Sequence, residues 1–392
     1  LYLGIQKTGV SHGELLRVLE KHFGVSHRRI GYAGMKDKHA VTRQVVSIHL
    51  PEEPREVQPD HERIAVLWAR RHRNKLRRGH LTGNRFVIRI REVDPVHAPT
   101  ALRVLRQLES RGMPAFYGEQ RFGYRANNHR LGAMLLRRDH ESAAHELCGS
   151  HGSWFPEYQR ERRELFDAGR YAEAAELWTP ADRSELITCR ALARGVGWEE
   201  AIRSIGPVTL KFWTSALASA VFNRVLDARL ADGTAGTLLE GDLAWKHQGR
   251  AIFPVTAAEL ADPDILRHRY EALELSPSGP LWGAGMPEAF GAVADLEREA
   301  VSAMDTTPEH LSTGPWRPDG SRRPFRDILE HPDVSGGFDD HGPYIKCVFD
   351  LRRGMYATMV LREIMRNDER PTDAAAAVKA DVERFADAAS GD

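Results

Sequence analysis

Residues 34 to 47 read Gly-Met-Lys-Asp-Lys-His-Ala-Val-Thr-Arg-Gln-Val-Val-Ser. One carboxylate, Asp37, stands between Lys36 and Lys38, just after a glycine and just before a run that reads as a strand. Flanking cations favour the ionised form of a carboxylate and lower its pKa. A positioned, ionised aspartate can act as a nucleophile, a general base or a metal ligand. A Lys-Asp-Lys triplet is also what a solvated turn looks like, so these three residues alone do not choose a role.

The elements that must hold this stretch can be read on either side of it. Residues 1 to 6 form a candidate strand. Ser11-His12-Gly13-Glu14 is a capping box that opens a helix with Leu15, Leu16, Val18, Leu19 and Phe23 on its apolar side, and Gly24 is placed to end it. Val45 to Leu50 and Ile64 to Trp68 are short strands separated by a Pro-rich loop. In Asn84 to Arg91, Phe86, Ile88 and Ile90 alternate with Arg85, Val87, Arg89 and Arg91. One face of that strand is apolar and the other mostly guanidinium, which suits a sheet with a core on one side and an anion on the other.

From about residue 125 to 317 the texture becomes helical, with stretches around 128–137, 141–149, 160–178, 183–193 and 209–230. Two Gly/Pro clusters, at 276–287 and 306–324, read as loop and linker. Strand alternation returns after about residue 342, then a helix over Ala357 to Met365, then an Ala-rich terminal helix or frayed tail. This order suggests one domain interrupted by another.

At 392 residues, two units are the default expectation. The 42% hydrophobic content supports real cores, and 28% charge argues for a soluble protein. No apolar run of about 18 residues implies a membrane span. Cys148, Cys189 and Cys347 lie far apart, which excludes a disulfide framework or zinc ribbon and suits a reducing cytoplasm. His140-Glu141 and His145 have the wrong spacing for a metalloprotease pair and read as surface residues. Formal charge is zero, with 55 basic and 55 acidic side chains, but the charges are segregated. Arg70 to Arg78 packs six positive charges into nine residues without an acid, while acidic residues gather after Asn367. Such segregation can give a neutral protein a positive face for phosphates.

The stretch from Gly34 resembles the signature Gly-x-Lys-Asp-x-x-Ala-x-Thr-x-Gln of the TruD family of tRNA pseudouridine synthases, with Gly34, Lys36, Asp37, Ala40, Thr42 and Gln44 in register. Four further blocks resemble that family in the same order: Lys75 to Phe86, Phe116 to Gly123, Ser215 to Leu226 and Leu351 to Ile364. There are departures. Ala115 stands where the family often has Asn, and Ala218 where Gln is common. The family's opening Phe-x-Val-x-Glu-like strand is not found before Leu1, and there is no initiator Met, so the sequence is expected to begin part-way into its domain.

The resemblance implies an α+β fold. A pseudouridine-synthase catalytic domain with a mixed or antiparallel sheet (1–124 and 318–392) would be interrupted by a mostly helical α+β insertion, the TRUD domain, at 125–317. It implies isomerisation of uridine to pseudouridine, at position 13 in the D arm of tRNA, with Asp37 as the catalytic residue. Asn84 and Phe86 map to the uridine pocket, where an amide suits uracil's mixed donor and acceptor edge and an aromatic face stacks on a flipped base. Tyr356 is a candidate second wall, with Thr358 as a structural cap in the same block. Lys36, Lys38 or a nearby Arg would keep Asp37 ionised, and Lys36 is also a substrate contact. Arg73, Lys75, Arg77 and Arg78 would grip the RNA backbone. No metal, no cofactor, no membrane and no obligate protein partner is implied; the partner is tRNA and the expected compartment the cytoplasm. Two other readings compete: a non-catalytic tRNA-binding or folding protein on the same scaffold, and a metal-dependent hydrolase using the same aspartate.

Overall fold

The structure, a computed structural model, describes residues 1–366; the expected Ala-rich terminal helix and the acidic tail lie outside the described residues. The chain divides into two compact units, Leu1–Arg85 and the remainder from Phe86. Among the described residues no helix is long and apolar enough to cross a membrane.

In the first unit, β1 (Tyr2–Thr8) leads into α1 (His12–Phe23). The capping box forms: the Ser11 hydroxyl accepts from the Glu14 N–H at 3.1 Å while the Glu14 carboxylate accepts from the Ser11 N–H. Gly24 ends the helix at φ 61°, a left-handed conformation that glycine adopts without penalty. Strands β2 (Ile30–Tyr32), β3 (Val41–Ile48) and β4 (Ile64–Arg70) complete a sheet of order β2-β3-β1-β4. Its inner face puts Leu3, Ile5, Val46, Ile48 and Ile64 against Leu15, Leu16 and Leu19 of α1. Each such side chain stabilises by about 1.5–3 kcal/mol when buried, so a one-residue slip, which would turn them all outward, is strongly disfavoured. The register places Lys7 directly opposite Thr42. β5 (Gly83–Arg91) begins in this unit and continues into the next.

The second unit opens with α2 (Ala98–Arg111) and β6 (Met113–Pro114). A helical layer follows: α3 (Asn128–Leu136), α4 (His140–Cys148), α5 (Arg160–Asp167), α6 (Tyr171–Leu177), α7 (Arg183–Ala193), α8 (Trp198–Arg203) and α9 (Pro207–Ala231). The expected single helix over 160–178 is two, because the chain turns through Gly169 at φ 75°. Helix α9 is buried on nearly every side through its middle, from Trp213 to Asn223, and is exposed toward its two ends. Gly132 lets α3 lie close to it: a Cβ there would come within 2.3 Å of the Trp213 carbonyl oxygen.

Strands also occur where helix and loop were expected. β7 (Leu243–Lys246), β8 (Ile252–Pro254), β9 (Leu275–Leu281) and β10 (Ser321–Pro324) form a sheet of order β10-β9-β7-β8, interleaved in sequence with α10 (Ala257–Leu260), α11 (Pro263–Glu271), α12 (Gly291–Ser302) and α13 (Pro308–Ser312). β9 runs through the Gly/Pro cluster at 276–287 that reads as loop. Its prolines lack an N–H but their carbonyls still accept, Pro277 from the Phe325 N–H at 2.9 Å, and Ser276 and Ser278 between them are buried. β11 (Arg326–Asp327) pairs with β6, and β12 (Leu329–Asp339), β13 (Gly342–Arg352) and β5 make a three-stranded sheet before α14 (Ala357–Met365). A single core joins Leu105, Phe325, Phe349 and Val360 to Leu217, Val221 and Phe222 of α9. The fold class is α+β.

Candidate active site

Asp37 lies on the loop between β2 and β3, exposed, as is Lys38, while Lys36 is half-buried. Its main chain is held from beneath by Lys7. That side chain is fully buried, and its Nζ donates to the carbonyls of Asp37 and Val10, each at 2.6 Å, with Lys36 O at 3.5 Å. Hydrogen bonds from a charged donor contribute about 1.5–3 kcal/mol each, enough to fix the loop against the strand. Gly9 N–H to Ala40 O at 3.3 Å and Ala40 N–H to Lys38 O at 2.9 Å close its far side. The Lys7 ammonium is pushed below the usual lysine value by burial, and the charges of Asp37 and Glu14 oppose that shift. Thr42 and Gln44 of the motif share the inner side of β3 with Val46 and Ile48, beneath the loop.

Lys36 reaches away from the loop and donates to Asn84 Oδ1. An ammonium has three donors and no acceptor, so the amide oxygen must face it and the amide N–H₂ is left to point elsewhere. Lys36 thus sets the orientation of Asn84 and presents a donor rather than an acceptor. Burial lowers its pKa and the Asp37 charge opposes the shift. The structure therefore brings together Lys36, Asp37 and Asn84, and adds Lys7, which sequence reasoning missed. Its signal was phase: Lys7 continues the inward series Leu3, Ile5 on β1.

The basic loop after β4 crosses the outer face of the same sheet. Leu76 N–H donates to Ser47 Oγ at 2.9 Å, and a Cβ on Gly31 would come within 2.3 Å of the Leu76 carbonyl oxygen. Two cations of the loop are tied down: Lys75 donates to the Arg28 carbonyl, and Arg78 to the Tyr32 hydroxyl at 2.7 Å. Arg73 and Arg77 are exposed. Between this loop and β2 runs a groove of about 470 Å³ lined by His27, Arg28, Tyr32, Lys75, Arg77 and Arg78. It offers a phosphate chain several cations and no carboxylate.

In the second unit, Phe86 is half-buried and stacks on Phe349, centroids 5.8 Å apart at 30°. Alternation along β5 puts it on the same side of the strand as Asn84. Tyr356 is the N-cap residue of α14 and makes no side-chain capping bond, so the expected cap by Thr358 is not formed. Burial raises the Tyr356 pKa. Its ring tilts against Tyr117 at 5.9 Å, and the Arg323 guanidinium lies 4.4 Å from the Tyr117 centroid. The buried Asn223 amide exchanges two hydrogen bonds with the Tyr117 main chain, at 2.8 and 3.0 Å. Tyr117, Asn223 and Arg323 had no assigned role in the sequence, although Tyr117 and Asn223 fall within the blocks Phe116 to Gly123 and Ser215 to Leu226. Arg89 and Arg91, read as facing an external anion, meet an internal one: both contact Asp339, whose carboxyl Arg91 holds at about 2.

Residues 1–364 match the family described as tRNA pseudouridine synthase D (TruD). The tRNA pseudouridine synthase D of Geobacter sulfurreducens is 39% identical over 93% of this chain and 87% of its own. That of Syntrophotalea carbinolica is 35% identical over 94% and 90%. The crystal structure of a TruD-family protein from Methanosarcina mazei superposes with a TM-score of 0.76 at 23% identity, covering 95% of this chain and 89% of that one, and so shares the fold. By the extent of the match and by these relatives, the chain belongs to the TruD family of tRNA pseudouridine synthases, which are isomerases.

Proposed function

We propose that this protein converts uridine to pseudouridine at position 13 in the D arm of tRNA, with Asp37 as the nucleophile. The observation that carries the reading is the mounting of Asp37: an exposed carboxylate on a main chain gripped by a buried ammonium, beside an amide aimed by Lys36. The reaction breaks the N1–C1′ bond, turns the uracil and forms a C5–C1′ bond; the C5 proton is lost and N1 gains one. No net electrons move, so no redox carrier is required. Asp37 attacks C1′ or C6. Asn84 donates to a uracil carbonyl, and Phe86 and Tyr356 supply faces on which an unstacked base can rest. Arg73 and Arg77 contact RNA phosphates, with Lys75 and Arg78 also fixing the loop that carries them. In this reading residues 125–317 are an insertion between catalytic segments 1–124 and 318–392, and the work is cytoplasmic. The test is to map pseudouridine in tRNA from cells with and without the protein. Loss at position 13 alone is expected; an unchanged map would contradict the assignment.

A further inference from the structure

α1 covers the inner face of the four-stranded sheet, and the outer face carries an unusual set of side chains. None of its four strands contains Asp or Glu. Alternation and register put Tyr2 and Gly4, Arg43, and Trp68 and Arg70 outward on three adjacent strands. Trp68 is 42% exposed, and it lies against Gly4, where a Cβ would come within 2.2 Å of the indole nitrogen. Glycine is what allows the ring to lie on the strand. Tyr2 stacks on His72 at 4.6 Å and 30°, and Arg43 Nε donates to Gln6 Oε1 at 2.8 Å, which holds the guanidinium along the sheet. The same face continues beneath the basic loop, which is anchored at Ser47.

A solvent-facing antiparallel sheet is ordinarily polar and mixed in charge. Here it pairs flat aromatic rings with guanidinium groups and lacks acids, the combination that binds unpaired nucleotides by stacking and phosphate contact. We propose that the outer face of β1, β3 and β4 is a second RNA-binding surface, on which Trp68 stacks an unpaired base of the substrate while Arg43 and Arg70 contact its phosphates. It rests on tRNA being the substrate, and it lies outside the Asp37 loop.

The test compares full-length wild type with Trp68→Ala, Trp68→Phe and the pair Arg43→Gln/Arg70→Gln. Affinity for an unmodified tRNA transcript is measured by filter binding over a range of salt, alongside pseudouridine formation and melting temperature. Trp68→Ala should weaken binding about tenfold, since base–aromatic stacking has a value of that order, with kcat at saturating tRNA unchanged. Trp68→Phe should recover most of the loss. The arginine pair should flatten the salt dependence by roughly one to two counterions. Wild-type affinity and salt slope in both Trp68→Ala and the arginine pair would overturn the proposal. The binding arm decides this even if the wild type forms no pseudouridine, an outcome that would count against the proposed activity alone.

Discussion

Lys7 in the first unit and Arg322 in the second are both fully or nearly fully buried cations, and they are satisfied in opposite ways. Arg322 meets Glu297 in a bidentate pair, at 2.7 and 2.9 Å, and also bonds Ser278. Lys7 donates its hydrogen bonds to main-chain carbonyls, and one of them belongs to Asp37. The Arg322 charge is neutralised where it sits, so its work is to fix β10 against α12. The Lys7 charge stays available to the carboxylate above it. In the proposed reading, Lys7 serves the chemistry by gripping the loop that exposes Asp37, whereas Arg322 serves the architecture.

The two cations should therefore fail differently. Arg322→Met leaves the Glu297 carboxylate buried without its partner, and breaking such a pair costs about 3–5 kcal/mol. Denaturant unfolding should show that loss while turnover per folded molecule persists. Lys7→Met removes an ammonium that burial already disfavours but leaves the Val10 and Asp37 carbonyls without their donor, so stability should fall by about 1–3 kcal/mol, less than for Arg322→Met. Turnover should fall about ten- to hundredfold, because a catalytic group misplaced by an ångström loses that much. If Lys7→Met unfolds the protein and Arg322→Met inactivates it without unfolding, the contrast is wrong.

pH sharpens the same contrast. Lys7 and Lys36 titrate below the ordinary lysine value of 10.5 in the folded protein. Between that lowered range and 10.5 the unfolded chain binds more protons, so their contribution to stability rises with pH. Activity should move the other way, with kcat/KM falling on an alkaline limb that begins below 10.5 as the ammonium groups are lost. A rate that stays flat to pH 10.5 would exclude both lysines from the chemistry. The smallest effect is expected at the rim of the basic loop. Arg73→Gln/Arg77→Gln should lower the salt slope of tRNA binding by roughly one to two and leave the melting temperature unchanged, whereas Arg78→Gln, losing its bond to Tyr32, should also loosen the loop.

Much of the first unit was legible because its signals are local. The capping box at Ser11 and Glu14, the stop at Gly24 and the apolar phase of β5 each act within a few residues. The motif located the loop and named Asp37, and the block around Asn84 supplied the residue that Lys36 reaches. What stayed hidden depends on contacts far apart in sequence. The grip of Lys7 on Asp37 spans 30 residues, and Arg323 stands over Tyr117 from a strand some two hundred residues later. β9 was hidden for another reason: Pro277 and Pro280 disfavour a strand locally, and burial between β10 and β7 overrides them. The division of 160–178 into α5 and α6 turns on the backbone of one glycine.

The most direct test of the account is Asp37→Asn assayed by tritium release from uracil-5-³H-labelled tRNA. The substitution keeps the size of the side chain, so the grip of Lys7 on the main-chain carbonyl is retained. Release should fall by at least about a thousandfold, as for loss of a nucleophile, while tRNA affinity stays within a few-fold of wild type. Appreciable release by the folded variant would contradict the assignment of Asp37.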